Sequence, residues 1–161
     1  MKIRALQTAD WVTVSRIYQT GMDTNLATFQ TVCPPWGEWD NSHIVKCRLV
    51  AETGSVVIGW AAISHVSKRQ VYAGVAEVSV YVDSFAQKSG VGTKLLHTLC
   101  HDAEKEGFWT LQSSILPENQ ASIRLHEKCG FRVVGYREKI GKDRFGIWRD
   151  SILMELRNSI I

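Results

Sequence analysis

The stretch Ser79–Leu96, SVYVDSFAQKSGVGTKLL, limits the fold more than any other: an alternating apolar run, a short polar loop, then two glycines opening a helical pattern. A strand feeding a helix through a glycine loop belongs to folds in which helices pack on a sheet. A helix N-terminus presents unpaired N–H groups and the positive end of its dipole, so it suits a phosphate once side chains are cleared from the approach. Gly90 and Gly92 are read as clearing it, Lys88 adds a cation, and Thr93 adds a hydroxyl at the first turn, so a pyrophosphate is the natural occupant. The other reading, that the glycines only make a tight turn, stays open for an isolated G-x-G. Spacing excludes two familiar phosphate loops: a P-loop needs Gly-Lys-Ser/Thr where this chain has Gly92-Thr93-Lys94, and a dinucleotide fingerprint needs a small residue where Leu95 stands.

The flanking sequence alternates strands and helices. Residues 2–6 read as a strand, and Asp10 is expected to cap a helix carrying Trp11, Val14, Ile17 and Tyr18 at helical spacing. Residues 24–33 read as loop, and Pro34-Pro35 as the opening of a second helix with Trp36, Trp39 and Ile44. RLVAE and SVVIGWAAISHV read as a hairpin joined at Thr53-Gly54. Val75–Val82 alternates, with Glu77, Ser79 and Tyr81 on one face and Val78, Val80 and Val82 on the other. A helix over Gly90–Glu106 closes at Gly107, Trp109–Ile115 is a strand, and a helix over Glu118–Lys128 closes at Gly130. Phe131–Ile140 and Ile147–Leu156 complete the pattern as strands. The reading is an α/β domain built around one sheet, with antiparallel strands at both ends.

Composition then removes function classes. The 161 residues are 45% hydrophobic, enough for one domain over residues 1–161. The formal charge of +3 comes from 19 basic and 16 acidic residues scattered along the chain, so there is no basic patch for nucleic acid, and a small anion is the only anionic partner left open. MKIRALQTADW has no apolar signal core, and no apolar run approaches the ~18 residues of a membrane span, so a soluble, cytoplasmic protein is expected. Cys33, Cys47, Cys100 and Cys129 form no C-x-x-C pair and read as reduced core thiols. His97 and His101 are spaced i, i+4, but the Glu of H-E-x-x-H and a third ligand are both missing, so they read as a surface or half-buried pair and no metal is expected.

At this point the residues resemble a family. QKSGVG fits the Q/R-x-x-G-x-G/A pyrophosphate loop of GCN5-related N-acetyltransferases, and NQASIRLHEKCGF resembles the second part of that family's signature. ATFQT, YAGVAEVSVYV, LHEKCGF and GIWRD together look like its phosphinothricin acetyltransferase-like branch, over nearly the whole chain. The resemblance implies a mixed, mostly antiparallel sheet of about seven strands flanked by about four helices. It also implies direct acetyl transfer from acetyl-CoA, within a ternary complex, to the primary amine of a small amino-acid-like acceptor such as phosphinothricin or methionine sulfoximine or sulfone. Homodimers are implied as well.

The same resemblance assigns roles. A free amine is mostly protonated at pH 7 and needs a base; Glu77, two residues before S-V-Y-V, matches the family's functional Glu. Backbone N–H groups around Val80 would meet the charge that develops on the thioester oxygen if this strand splays from its neighbour. The pantetheine arm would pair with Val80, Tyr81 and Val82 like an added strand. His126 stands where many relatives have a Tyr acid, and could donate to sulfur, help deprotonate the amine, or only pack. Gln87, Lys88, Ser89, Gly90, Val91, Gly92 and Thr93 form the pyrophosphate loop, with Asn119, Ser122 and Lys128 near the cofactor. Asn119 also suits an N-cap. Arg69 and Tyr72 match an acceptor clamp, and Phe29 is a further acceptor contact. Phe29, Trp36, Trp60 and Trp148 fit a core or dimer interface more readily than an acceptor cage. Two departures bear on the acceptor: Ala73 replaces a second arginine, and Gln30 stands where Glu is common.

Two other functions compete. One is the same chemistry on a protein N-terminus, a lysine or a polyamine, which calls for an open acidic groove. The other is a non-catalytic acetyl-CoA-binding module, against which stand both Glu77 and His126.

Overall fold

Gly54 and Ser55 are both left-handed, at φ 54° and 64°, the backbone a two-residue hairpin turn needs to match the twist of its strands. The turn folds Arg48–Thr53 (β2) onto Val56–His65 (β3). The computed structural model describes residues 1–159. Lys2–Ala5 (β1) lies outside β2; beyond β3 come Val75–Val82 (β4), Thr110–Ile115 (β5) and the hairpin of Arg132–Lys142 (β6) and Trp148–Arg157 (β7). The seven strands run in the order β1-β2-β3-β4-β5-β7-β6, antiparallel throughout except for the parallel pair β4–β5. Four helices flank them: Trp11–Asp23 (α1), Trp36–Ser42 (α2), Val91–Lys105 (α3) and Gln120–Lys128 (α4). This is the mixed, mostly antiparallel architecture expected from the sequence.

The period-two pattern of β4 sorts the two faces of the sheet. Ala76 and Val78 are buried in a core with Leu95, Leu96 and Leu99 of α3, and Val80 and Val82 pack against it. Tyr81 packs on the opposite core, formed by Val14, Ile17, Tyr18 and Met22 of α1, Trp39 of α2 and Trp60 of β3. Trp39 and Trp60 are wholly buried, whereas Trp148 is 55% exposed on the outer hairpin. Cys47 and Cys100 are buried and Cys33 and Cys129 half-buried, all as free thiols; burial pushes the Cys47 thiol up to about 11 and the Cys100 thiol to about 12. His97 and His101 are exposed on α3. Among the described residues no helix is long and apolar enough to cross a membrane.

Local chemistry moves three features from where the sequence puts them. Asp10 does not cap α1: it is itself helical and bonds none of that helix's N–H groups. The turn Thr8–Asp10 comes first, and the carboxylate is engaged by its N-cap and by β1, accepting from Gln7 N–H at 2.8 Å and from the Arg4 guanidinium at 2.8 and 2.9 Å. Pro35 sits just before α2 as its extended N-cap. Ile44 lies beyond that helix, because the chain straightens at His43 (φ −116°, ψ 147°) and Ile44 N–H bonds the Ile63 carbonyl at 2.9 Å. Ile44 therefore packs on the α3 side, and His43 is drawn to the end of β3.

Gly59 lets α3 lie directly on β3. A Cβ at that position would stand 3.0 Å from the Tyr81 carbonyl oxygen and 3.1 Å from Leu95 Cδ1. Gly59→Ala is expected to cost about 1–3 kcal/mol by overpacking, read in a thermal melt as a Tm several degrees lower. A melt identical to wild type would show that α3 has slack against the sheet.

Candidate active site

The β4–β5 ladder is short. Only Val75, Ala76 and Glu77 pair, with Thr110, Leu111 and Gln112, so from Val78 to Val82 one edge of β4 has no strand partner. Backbone N–H and C=O groups inside a sheet need partners, and this gap leaves them facing a cavity of about 490 Å³. The cavity reaches both faces of the sheet. On the α1/α2 side it is lined by Phe29, His43, Ser64, Glu77, Ser79 and Tyr81, and on the α4 side by Val80, Asn119, Ser122 and His126. The splay expected near Val80 is present.

Glu77 accepts a hydrogen bond from Gln112 Nε2 at 3.5 Å, and across the β3–β4 pair it faces Ser64. The loop between α1 and α2 brings Phe29 to this wall and is tied at several points. Tyr18 OH donates to Gln30 Oε1, Gln19 Nε2 donates to the Thr31 carbonyl at 3.0 Å, and Asn25 Nδ2 donates to Asp143 at 3.1 Å. Gln30 is thereby a structural acceptor for Tyr18. Burial, helped by nearby Cys33 and Glu77, pushes the Tyr18 phenol up to about 12, so it stays a neutral donor.

His126, 4% exposed, stands edge-on to Phe131 with ring centroids 5.0 Å apart. Its Nδ1 lies 2.7 Å from the Ser122 carbonyl. A carbonyl only accepts, so Nδ1 carries the hydrogen and Nε2 is left with a lone pair; Nε2 is buried without a partner among the described residues. Burial lowers the pKa of the imidazole, against a smaller opposing effect of that hydrogen bond. Of the roles open in the sequence, this geometry suits a proton acceptor rather than an acid held ready to donate.

The glycine loop follows the free end of β4. Lys88 and Gly90 are left-handed, at φ 61° and 83°, and Gly90 caps α3. The first helical bond runs from Lys94 N–H to the Gly90 carbonyl at 3.1 Å, so the N–H groups of Val91, Gly92 and Thr93 have no acceptor within the helix. A Cβ at Gly90 would meet nothing within 4 Å, which leaves the approach open. Gly92 has a packing reason of its own to be a glycine: its Cβ would stand 3.3 Å from Leu125 Cδ2 and 3.5 Å from Val82 Cγ2. It lets α4 close on α3. Cys129 Sγ lies 3.7 Å from the Thr93 carbonyl, which brings the C-terminal end of α4, with exposed Lys128, to the start of α3. Asn119 caps α4, accepting from Ser122 N–H at 3.2 Å, while also lining the cavity. Val82, Gln87 to Thr93 and Lys128 do not line this cavity.

Arg69 and Tyr72 do not join this site. The Arg69 guanidinium lies 5.4 Å from the centre of the Tyr72 ring, on the loop between β3 and β4, and neither residue lines the cavity. That loop returns at Gly74, whose carbonyl accepts from Trp109 N–H at 2.9 Å and Thr110 N–H at 3.2 Å. The anchor lies at the closed end of the β4–β5 pair, away from the splay. The sequence reading also missed cavity residues: Tyr18, His43, Ser64, Ser79, Ser114 and Ser151 all line it. For Ser64 and Ser79 a signal was present, since both share the period-two face of Glu77.

Residues 6–131 match the model of the acetyltransferase (GNAT) family. The chain is similar to phosphinothricin N-acetyltransferase of Alcaligenes faecalis, 31% identical over 163 residues that cover 95% of this chain and 80% of that protein. It is also similar to the solved structure of ribosomal-protein-alanine N-acetyltransferase from Brucella melitensis, at 28% identity and TM-score 0.89, covering 98% of this chain and 100% of that one. The structure of a phosphinothricin acetyltransferase from Sinorhizobium meliloti in complex with acetyl-CoA is 26% identical with TM-score 0.86, covering 97% of this chain and 87% of that one.

Burial lowers the pKa of both His126 and His43 below the ordinary 6.5. Unfolded imidazoles take up protons as the pH falls through about 6.5 while the folded ones resist, so the unfolded state binds more protons and stability falls from there down to the depressed folded values. Urea unfolding at pH 7.5 and pH 5.5 should show this loss, and His126→Gln should remove part of it. An unchanged pH dependence in the variant would contradict a buried neutral His126.

Proposed function

Since the chain belongs to the GNAT acetyltransferase family and is an acetyl-CoA-dependent N-acetyltransferase, we propose that its acceptor is the primary amine of a small amino-acid-like molecule of the phosphinothricin and methionine sulfoximine class. The observation that carries the reading is the cavity that passes through the β4–β5 splay, with Glu77 on one side and His126 on the other. Its volume of about 490 Å³ is that of a small-molecule site, and the tied loop carrying Phe29 bounds it.

The residues fit the cosubstrate by observations independent of any relative: an open approach at Gly90, free N–H groups at the start of α3, and an unpaired edge on β4. In this reading Gln87 to Thr93 hold the pyrophosphate, the edge Val80 to Val82 holds the pantetheine arm, and Asn119, Ser122 and Lys128 flank it. When bound, acetyl-CoA supplies an acetyl group activated as a thioester. Glu77 takes a proton from the acceptor's ammonium, directly or through water, and frees the nitrogen lone pair. N–H groups around Val80 hydrogen-bond the carbonyl oxygen as charge builds there. As the C–N bond forms and the C–S bond breaks, the nitrogen's remaining surplus proton passes to Nε2 of His126 and then to the departing sulfur, so the products are an amide and a thiol.

The chain acts as one acetyltransferase domain and as a homodimer. The β6–β7 hairpin exposes Tyr136, Ile140, Phe145, Ile147 and Trp148, each at least half exposed, and exposed apolar side chains of this kind suit a surface that a second copy covers. A second reading, acetylation of a protein N-terminus, is favoured by the likeness to the Brucella melitensis structure.

Thiol-release assays over amino acids, their phosphinate and sulfoximine analogues, polyamines and N-terminal peptides separate the readings. The amino-acid analogues are expected to be the best acceptors, and a preference for peptides would overturn the proposal. Glu77→Gln should lower kcat by about 10²-fold or more, with acetyl-CoA affinity by calorimetry near that of wild type; wild-type turnover at every pH would remove Glu77 from the chemistry.

A further inference from the structure

We propose that His43 is a specificity-determining residue for the acceptor, its Nε2 accepting a hydrogen bond from an N–H or O–H at the end of the molecule distal to the reacting amine. The inference rests on the reading of the cavity as an amino-acid acceptor site.

Ile44 N–H bonds the Ile63 carbonyl, and the next residue, Ser64, faces Glu77 across the β3–β4 pair. His43, Ser64 and Glu77 therefore follow one another along one wall, and all three line the cavity. Neighbouring strands lie about 4.8 Å apart, so an amine placed at Glu77 puts the distal end of its molecule roughly 5–10 Å away, the reach of a short amino-acid side chain.

His43 Nδ1 lies 2.8 Å from the Trp39 carbonyl, which can only accept, so Nδ1 carries the hydrogen and Nε2 the lone pair. Ser42 Oγ donates to the same carbonyl at 3.0 Å. No hydrogen bond from the described residues engages Nε2.

The ring is also held rigidly. It stacks on Trp39 with centroids 4.2 Å apart and planes 18° apart, and Arg48 Nη2 donates to the His43 carbonyl at 2.5 Å. Burial, together with the neighbouring positive charge of Arg48, lowers the imidazole's pKa, which favours the neutral accepting form. Among the described residues no Lys or Arg lines the cavity, so this wall offers an imidazole acceptor and hydroxyls rather than a cation. An acceptor whose distal group donates a hydrogen bond is matched; one whose distal group only accepts leaves Nε2 desolvated and unpaired.

Methionine sulfoximine and methionine sulfone differ in the relevant atom alone, an N–H in place of an oxygen. Wild-type kcat/KM is expected to favour the sulfoximine by about tenfold. His43→Phe keeps an aromatic ring over Trp39 and removes Nε2, so the ratio should fall to about one while KM for acetyl-CoA stays unchanged. His43→Gln, whose amide oxygen can accept, should keep part of the preference and serves if the Phe variant does not fold. A wild-type ratio near one, or a ratio equal in wild type and both variants, overturns the role of His43 while leaving the amino-acid reading intact. If neither amino-acid analogue is acetylated but peptides or polyamines are, that reading fails and this proposal falls with it.

Discussion

The ladder between β4 and β5 stops at the Glu77–Gln112 pair, and the site depends on that stop. A parallel pair this short leaves five residues of β4, Val78 to Val82, with one unpaired backbone edge inside the sheet, where unmet polar groups are costly. The edge is held open from both sides. Trp60 and Tyr81 stack at 5.1 Å on one face, and Val80 and Val82 pack on the α3 core on the other, so β4 stays with β3 while β5 turns to follow β7. The outcome is a slot through the middle of the sheet, lined by groups from α4 and from the α1–α2 loop.

That geometry explains the division of labour in the cavity. The α1/α2 side carries the carboxylate of Glu77, neutral phenols and hydroxyls; the α4 side carries a neutral imidazole whose only unpaired atom is an acceptor. Proton acceptors thus stand on both sides of the slot. Such a site suits a substrate that arrives with surplus protons, as an ammonium does. Lys88, the cation of the glycine loop, does not line the cavity and stands apart from these proton acceptors.

Much of this was legible in the sequence wherever a local rule governs. The alternation of Val75–Val82 separates Glu77 and Ser79 from the core valines, the glycine loop marks the start of α3, and Asn119 reads as both cap and wall. What was not legible depends on tertiary partners. Asp10 is claimed by Arg4 and the Gln7 N–H rather than by α1; Gly92 is fixed by Leu125, which lies thirty-three positions away. Arg69 and Tyr72 are near Glu77 in sequence, but the anchoring of Gly74 at Trp109 keeps their loop at the closed end of the pair. His43 has no motif around it, and only the pairing of Ile44 with Ile63 brings it to the wall.

The most direct test of the slot as the seat of acetyl transfer is amide hydrogen exchange along β4, followed residue by residue with and without acetyl-CoA. The account predicts slowed exchange on binding at Val80 and Val82, whose N–H groups face the splay, with Ala76, on the edge paired to β5, and Ser79 and Tyr81, bonded to β3, unchanged. Equal exchange at Val80 and Val82 in the free and saturated protein would contradict it.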